Sequence, residues 1–140
     1  MKTILVGADG SPESKQAAEF ATRLAASLGT GLRLVFVAPR PVPMGPEPYA
    51  QSLAEWDLSE REYGNEVLRE MAARCAGVPV ETRFEAGSPA ETLADLAAAA
   101  DVELVVVGHR GRGAVKRLLL GSVADRLTQI CPRPVLVHRS

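Results

Sequence analysis

The stretch Leu104-Val105-Val106-Val107-Gly108-His109-Arg110-Gly111 decides how the rest of the chain is interpreted. Its four apolar residues predict a buried strand, and the glycines directly after them mark a loop. Nine further residues separate Gly111 from Gly121-Ser122, where a segment with helical periodicity begins. A strand, a glycine-rich loop and a helix in this order are typical of an α/β sheet.

The same alternation runs along the whole chain. The predicted strands cover residues 3–8, 32–37, 78–84, 103–107 and 134–138. Four helical segments separate them, and the 78–84 strand is the most polar, which favours a place near the sheet edge. We therefore predict a single α/β domain over residues 1–140, with a doubly wound five-stranded parallel sheet and helices on both faces. In such sheets ligands bind at the carboxyl ends of the strands.

Three helix starts carry capping signals. Ser11 precedes Pro12 and predicts an N-cap with proline at the first helical position. Ser88-Pro89-Ala90-Glu91 fits a capping box, and Ser122 with Asp125 fits another. The second box would explain Ser122 without any ligand. A further helix is predicted over 52–76, after a proline-rich loop over 38–50.

Composition excludes several classes of protein. The chain has 140 residues, 46% of them apolar and 24% charged, with a net charge of −1. These values suit an ordinary globular domain and argue against broad binding to nucleic acid or to an anionic membrane. The start of the sequence lacks the apolar region of a signal peptide, so we expect a cytoplasmic protein. Cys75 and Cys131 are expected to be small buried residues, not a disulfide or a metal site.

The glycine-rich loop indicates a phosphate site. Glycines allow main-chain amides to approach a ligand, and a Gly-Ser pair at a helix start adds amide donors and the positive end of the helix dipole. Ala114 and Lys116 stand where the P-loop and the dinucleotide fingerprint need other residues. We interpret the loop as a phosphate cradle of another kind, formed by Gly108, Gly111, Gly121 and Ser122.

Basic residues follow Gly108, the first glycine of the cradle. Arg110, Arg112, Lys116 and Arg117 could neutralise phosphate charge, or they could form an ordinary solvated face. His109 lies within reach of the same site, although the sequence favours an unremarkable loop residue. The two interpretations stay open at this point.

Two further candidates lie at the ends of the first two strands. Asp9, in Gly7-Ala8-Asp9-Gly10-Ser11, could contact a ribose, a base or a metal, or it could form an Asx-turn at the corner. At Val37 the main-chain N–H and C=O could pair with an adenine edge, although taken alone the residue fits an ordinary buried strand position better. If the first and fourth strands are neighbours, Asp9 and Gly108 face the same crevice although about a hundred residues separate them.

Catalytic machinery is sparse in the sequence. The chain has two histidines and no nucleophile elbow or zinc-protease motif. We assign no catalytic and no metal-ligating residue, and this favours binding over turnover.

Residues 4–11, the Gly108-x2-Gly111-x9-Gly121-Ser122 spacing and residues 131–137 resemble the universal stress protein (UspA-like) family, in its ATP-binding subclass. The resemblance implies an adenine nucleotide α-hydrolase-like fold with strand order 3-2-1-4-5. It also implies ATP bound with Mg²⁺ or Mn²⁺, and a homodimer that pairs through Val135–His138. The binding residues implied are Ala8, Asp9, Val37, Gly108, His109, Arg110, Gly111, Arg112, Gly121, Ser122 and Val123.

Three functions compete on this basis. The first is an ATP-binding regulatory protein of the stress response, whose conformation or partner depends on nucleotide occupancy. The second is a slow ATPase or self-phosphorylating enzyme that uses the same pocket. The third is a dimeric scaffold with a vestigial pocket. The glycine spacing argues against the scaffold, and the missing general base argues against the enzyme.

Overall fold

Strands and helices alternate along the chain, and the computed structural model describes residues 1–40, 45, 49–110 and 120–139. The strands are β1 Thr3–Gly7, β2 Gly31–Ala38, β3 Val80–Ala86, β4 Val102–Gly108 and β5 Val135–His138. The helices are α1 Pro12–Leu28, α2 Tyr49–Ala73, α3 Pro89–Ala97 and α4 Ser122–Ile130. The alternation agrees with the prediction from the apolar runs.

The strands form one parallel sheet in the order β3-β2-β1-β4-β5. This confirms the predicted fold class and strand order, and β3 lies at an edge as its polarity indicated. β1 is central, with Val6 opposite Leu34 of β2 on one side and Val106 of β4 on the other. The connections after β1 and β4 leave the sheet in opposite directions, so a crevice opens where these two strands end.

Two elements differ from the prediction by more than one residue. α2 begins at Tyr49 and ends at Ala73, not over 52–76, and β3 covers Val80–Ala86, not 78–84. A turn separates α2 from β3, and Gly77 in that turn has a φ of 95°. Most of the predicted proline-rich loop lies outside the described residues.

Apolar side chains pack on both faces of the sheet because successive strand residues point to opposite sides. Val106 belongs to the core beneath α1 and α2, and Val105 belongs to the core beneath α3 and α4. Three large side chains of α2 differ in burial. Met71 is fully buried in the core and Trp56 is partly buried against that core, but Tyr63 is 41% exposed.

Both cysteines are reduced. Cys75 is buried and Cys131 is half-buried. Burial raises the pKa of the Cys75 thiol, so this side chain stays protonated at neutral pH and behaves as an apolar core residue. Within the described part of the chain, no helix is both long and apolar enough to cross a bilayer.

Candidate functional site

A cleft with about 200 Å³ of space open to water lies at the carboxyl ends of β1 and β4. Asp9 and Gly108 both line it, so the predicted convergence of two distant stretches is confirmed. The other predicted site residues that line it are Ala8, Val37, Arg110, Gly121, Ser122 and Val123. Gly111 and Arg112 lie outside the described residues, as do Lys116 and Arg117.

His109 is not among the described residues that line the cleft. It is 5% exposed, and its Nδ1 is buried without a hydrogen-bond partner in the described part of the chain. Its main chain, however, joins two elements. The His109 N–H donates to the carbonyl of His138 at 3.0 Å, and its own carbonyl accepts from the Gly121 N–H at 2.6 Å. His109 thereby holds the start of α4 beside the ends of β4 and β5.

The first turn of α4 opens onto the cleft. Gly121 is its N-cap, with extended backbone at φ −65° and ψ 156°, and it has no side chain that could accept from the first-turn amides. The first intrahelical bond runs from the Asp125 N–H to the Gly121 carbonyl at 2.9 Å. The amides of Ser122, Val123 and Ala124 come before that bond, and all three residues line the cleft.

The capping box predicted for Ser122 is therefore wrong. Ser122 is the first residue of α4 and not its N-cap, so its hydroxyl does not occupy the capping position. The box predicted at Ser88 is also wrong in part. Ser88 is the N-cap and Pro89 follows it, but the serine side chain makes no capping hydrogen bond.

The corner between β1 and α1 is closed by its own side chains. Asp9 Oδ1 accepts from the Ser11 N–H at 2.9 Å and from the Ser11 hydroxyl at 2.6 Å. The Ser11 hydroxyl oxygen in turn accepts from the Ser14 N–H at 3.1 Å and caps α1. The Asx-turn interpretation of Asp9 is thus realised, and the same carboxylate lines the cleft.

Glycines at two positions allow close packing around this corner. Gly10 has a φ of 85°, and a Cβ there would lie 2.7 Å from the Tyr63 hydroxyl oxygen. A Cβ on Gly108 would lie 3.0 Å from the main chain of Glu13 in α1. Gly108 therefore has a packing requirement that is independent of any ligand.

The main chain of Val37 faces the cleft side of β2. In a parallel ladder the N–H and C=O of successive residues point alternately to the two neighbouring strands. The Val35 carbonyl accepts from Ala8 at 2.8 Å, on the β1 side, and the Ala38 carbonyl accepts from Gly87 at 2.9 Å, on the β3 side. Val37 follows the orientation of Val35, but β1 has already ended at that height.

An apolar wall completes the cleft, and the sequence analysis missed it. Its described residues are Val35, Leu93, Val107, Pro39 and Pro89. The two valines follow from strand alternation, because Val35 and Val107 belong to the same face as Val37. Leu93 could not be found this way, since its place depends on how α3 packs against the sheet. Ser14 also lines the cleft and was missed.

Charge in the cleft is small. Among the described lining residues, Asp9 and Arg110 are the charged ones. Arg110 Nη2 lies 3.0 Å from Glu13 Oε2, in a pair whose side chains are 25% and 18% exposed. Within the described ranges, no group of three or more His, Cys, Asp or Glu side chains could hold a metal ion.

Known proteins similar to this chain were found both in sequence and in structure. Residues 1–139 match the universal stress protein family. A universal stress protein of Thermus aquaticus is 37% identical over 139 residues, which cover 99% of this chain and 98% of the relative. One from Mycolicibacterium smegmatis is 35% identical over 139 residues and covers 96% of this chain. Those residues are 47% of that relative, so the chain spans about half its length.

Solved structures share the fold over nearly the whole chain. UspA from Lactobacillus plantarum has a TM-score of 0.78 at 22% identity, with 99% of this chain and 97% of that one covered. A universal stress protein in complex with cAMP has a TM-score of 0.69 at 27% identity, covering 99% and 96%. One from Archaeoglobus fulgidus, in complex with dAMP, has a TM-score of 0.69 at 20% identity, covering 98% and 97%. By sequence and by fold, this chain belongs to the universal stress protein family.

Proposed function

We propose that the cleft binds an adenine nucleotide, and that ATP with a divalent cation is its ligand. The observation that carries the proposal is the uncapped first turn of α4, whose amides open onto a cleft with an apolar wall. A site for phosphate and a surface for a base therefore lie in one pocket. Family members in complex with cAMP and dAMP support the adenine nucleotide class.

The phosphate tail is assigned to the α4 side. Unpaired amides and the positive end of the helix dipole attract anions, and Gly121 leaves the approach open because it has no side chain. Arg110 adds a positive charge on the same side. Gly111 and Arg112 are proposed to extend this cradle.

The base is assigned to the β2 side. Val37 presents a donor and an acceptor in one plane, and this pair matches the edge of an adenine. Val35 and Val107 offer apolar surface to the ring. Asp9 is assigned to the sugar or to the cation, because its carboxylate lies at the end of β1 between the two sides.

A divalent cation would depend mainly on the nucleotide. Mg²⁺ in nucleotide sites commonly takes one or two carboxylates together with phosphate oxygens and water. Asp9 is the acidic side chain among the described lining residues and fits that role. The cation would neutralise phosphate charge, while the amides of α4 and Arg110 would orient the tail.

Calorimetric titration with ATP, ADP and AMP tests the proposal. We expect binding by the protein and its loss in a folded Gly121→Val variant, because a branched side chain would fill the space in front of the α4 amides. Unchanged ATP affinity in that variant would refute the placement.

A time course of phosphate release separates the regulatory binding protein that we favour from the slow ATPase or self-phosphorylating enzyme.

We also propose a homodimer that forms through β5. This strand pairs with β4 on one side and is the edge of the described sheet on the other. Its four residues are all half-buried, so a second copy could cover them and extend the pairing. Light scattering should give twice the mass of one chain, and a monomer mass at micromolar concentration would contradict this.

A further inference from the structure

Arg110 is already engaged inside the chain. Its Nη2 donates to Glu13 Oε2 at 3.0 Å, across 97 positions of sequence. Its Nε is buried and has no hydrogen-bond partner in the described part of the chain. At the cleft, the Nη2 of Arg110 is therefore bonded to a carboxylate, and its Nε has no partner among the described residues.

Glu13 is held firmly at this place. It belongs to the first turn of α1, where the helix dipole favours an acidic side chain. Its main chain lies so close to Gly108 that a Cβ there would come within 3.0 Å. The Glu13 carboxylate, 3.0 Å from Arg110 and 18% exposed, therefore places a negative charge beside the cation that a phosphate tail would meet.

We propose that Glu13 sets the phosphate-charge preference of the cleft by competing with the nucleotide for Arg110. This inference rests on the proposed function. A phosphate that contacts Arg110 must share the guanidinium with Glu13, which already neutralises part of its positive charge. The resulting loss of binding free energy grows with the charge of the phosphate tail, so the affinity for ATP is lowered more than the affinity for AMP.

Glu13→Gln tests this directly because it removes the charge and keeps the size and a hydrogen-bond acceptor. In calorimetry without divalent cations, we expect ATP affinity to rise about tenfold and AMP affinity about twofold. The measured quantity is the ratio of the two affinities, which a loss of helix stability would not raise. Thermal unfolding checks that the variant folds.

Glu19→Gln is the matched control. Glu19 also belongs to α1 and pairs with Arg74 at 3.2 Å, but neither residue is among those lining the cleft. The control should leave the ATP-to-AMP ratio unchanged. In an Arg110→Gln background, Glu13→Gln should change the ratio by less than about twofold, because the shared cation is gone.

The outcomes separate this inference from the proposed function. A raised ratio that requires Arg110 supports the inference. If the protein binds ATP and AMP but Glu13→Gln leaves their ratio unchanged, or Glu19→Gln raises it equally, the inference is overturned and the nucleotide site stands. If the protein binds no adenine nucleotide at all, both fail. Should Glu13→Gln not fold, the Arg110→Gln variant alone must lower ATP affinity more than AMP affinity, and equal losses overturn the inference.

Discussion

The starts of α1 and α4 lie at the same cleft, yet only one of them is open to a ligand. At α1 the Ser11 hydroxyl oxygen accepts from the Ser14 N–H, and Asp9 closes the turn before it. At α4 the N-cap is Gly121, and no side chain occupies the corresponding position. At the start of α1 a side chain of the protein accepts from a first-turn amide, whereas at the start of α4 the amides are left to an acceptor from outside the chain.

The comparison of these two helix starts shows that a capping sequence does not by itself decide which residue becomes the N-cap. Ser11 and Ser122 both precede acidic residues by a few positions, and each resembles an N-cap. The hydrogen bond from the Gly121 N–H to the His109 carbonyl fixes the chain one residue before Ser122. The serine consequently becomes the first helical residue, and the position with no side chain becomes the cap.

The largest effect is expected when α4 is closed in the way that α1 is closed. Gly121→Asp introduces a carboxylate that can accept from the first-turn amides, and the extended backbone of Gly121 suits any residue. We expect ATP affinity to fall about 100-fold, because a fixed negative charge would occupy the phosphate site. The thermal unfolding temperature should stay equal or rise, since an aspartate cap stabilises the helix.

Gly121→Asn serves as the control for charge. Asparagine has nearly the same shape as aspartate and can also cap the helix, but it carries no charge. The loss of ATP affinity should therefore be smaller than in Gly121→Asp. Equal ATP affinity in the folded aspartate variant and the unchanged protein would mean that the α4 amides do not hold the phosphates.

Removal of the cap at α1 should lower the stability of the protein and leave its ATP affinity nearly unchanged. Ser11→Ala deletes the acceptor for the Ser14 N–H and one donor to Asp9, so we expect the free energy of unfolding to fall by about 1 kcal/mol. Urea denaturation measures it. ATP affinity should change by less than about threefold, because Ser11 is not among the described lining residues. A loss as large as that of Gly121→Asp would place the ligand at α1 instead.

The smallest effect is expected at α3. Ser88 is an N-cap by position, but its side chain makes no capping hydrogen bond. Ser88→Ala should therefore lower the free energy of unfolding by less than about 0.5 kcal/mol. Urea denaturation measures the free energy of unfolding of both alanine variants. An equal loss in Ser88→Ala and Ser11→Ala would contradict the difference between the two caps.

Most of the fold could be predicted from the sequence because its signals are local. Apolar runs located the strands, and Ser11, expected as the N-cap of α1, is its N-cap. The boundaries of α2 and β3 were displaced by two or three residues, and the turn between them includes Gly77, whose φ is 95°. The strand order came from a family resemblance and was then confirmed by the sheet.

The candidate site could be predicted where sequence and topology coincide. Asp9 and Gly108 follow neighbouring strands of a parallel sheet, so their convergence needed only the strand order. His109 was one of the candidates, but its side chain is buried and it is not among the described residues that line the cleft. Leu93 was missed because a helix that packs from the side has no signal next to the strand ends.

By itself the sequence determined which segments form strands and helices, since hydrophobic periodicity and proline or glycine act over a few residues. It also determined that a loop rich in glycine follows the fourth strand. The tertiary structure alone decided that α4 begins uncapped and that Arg110 meets Glu13. Both depend on hydrogen bonds between positions far apart in the chain, and such pairs form only once the sheet has brought them together.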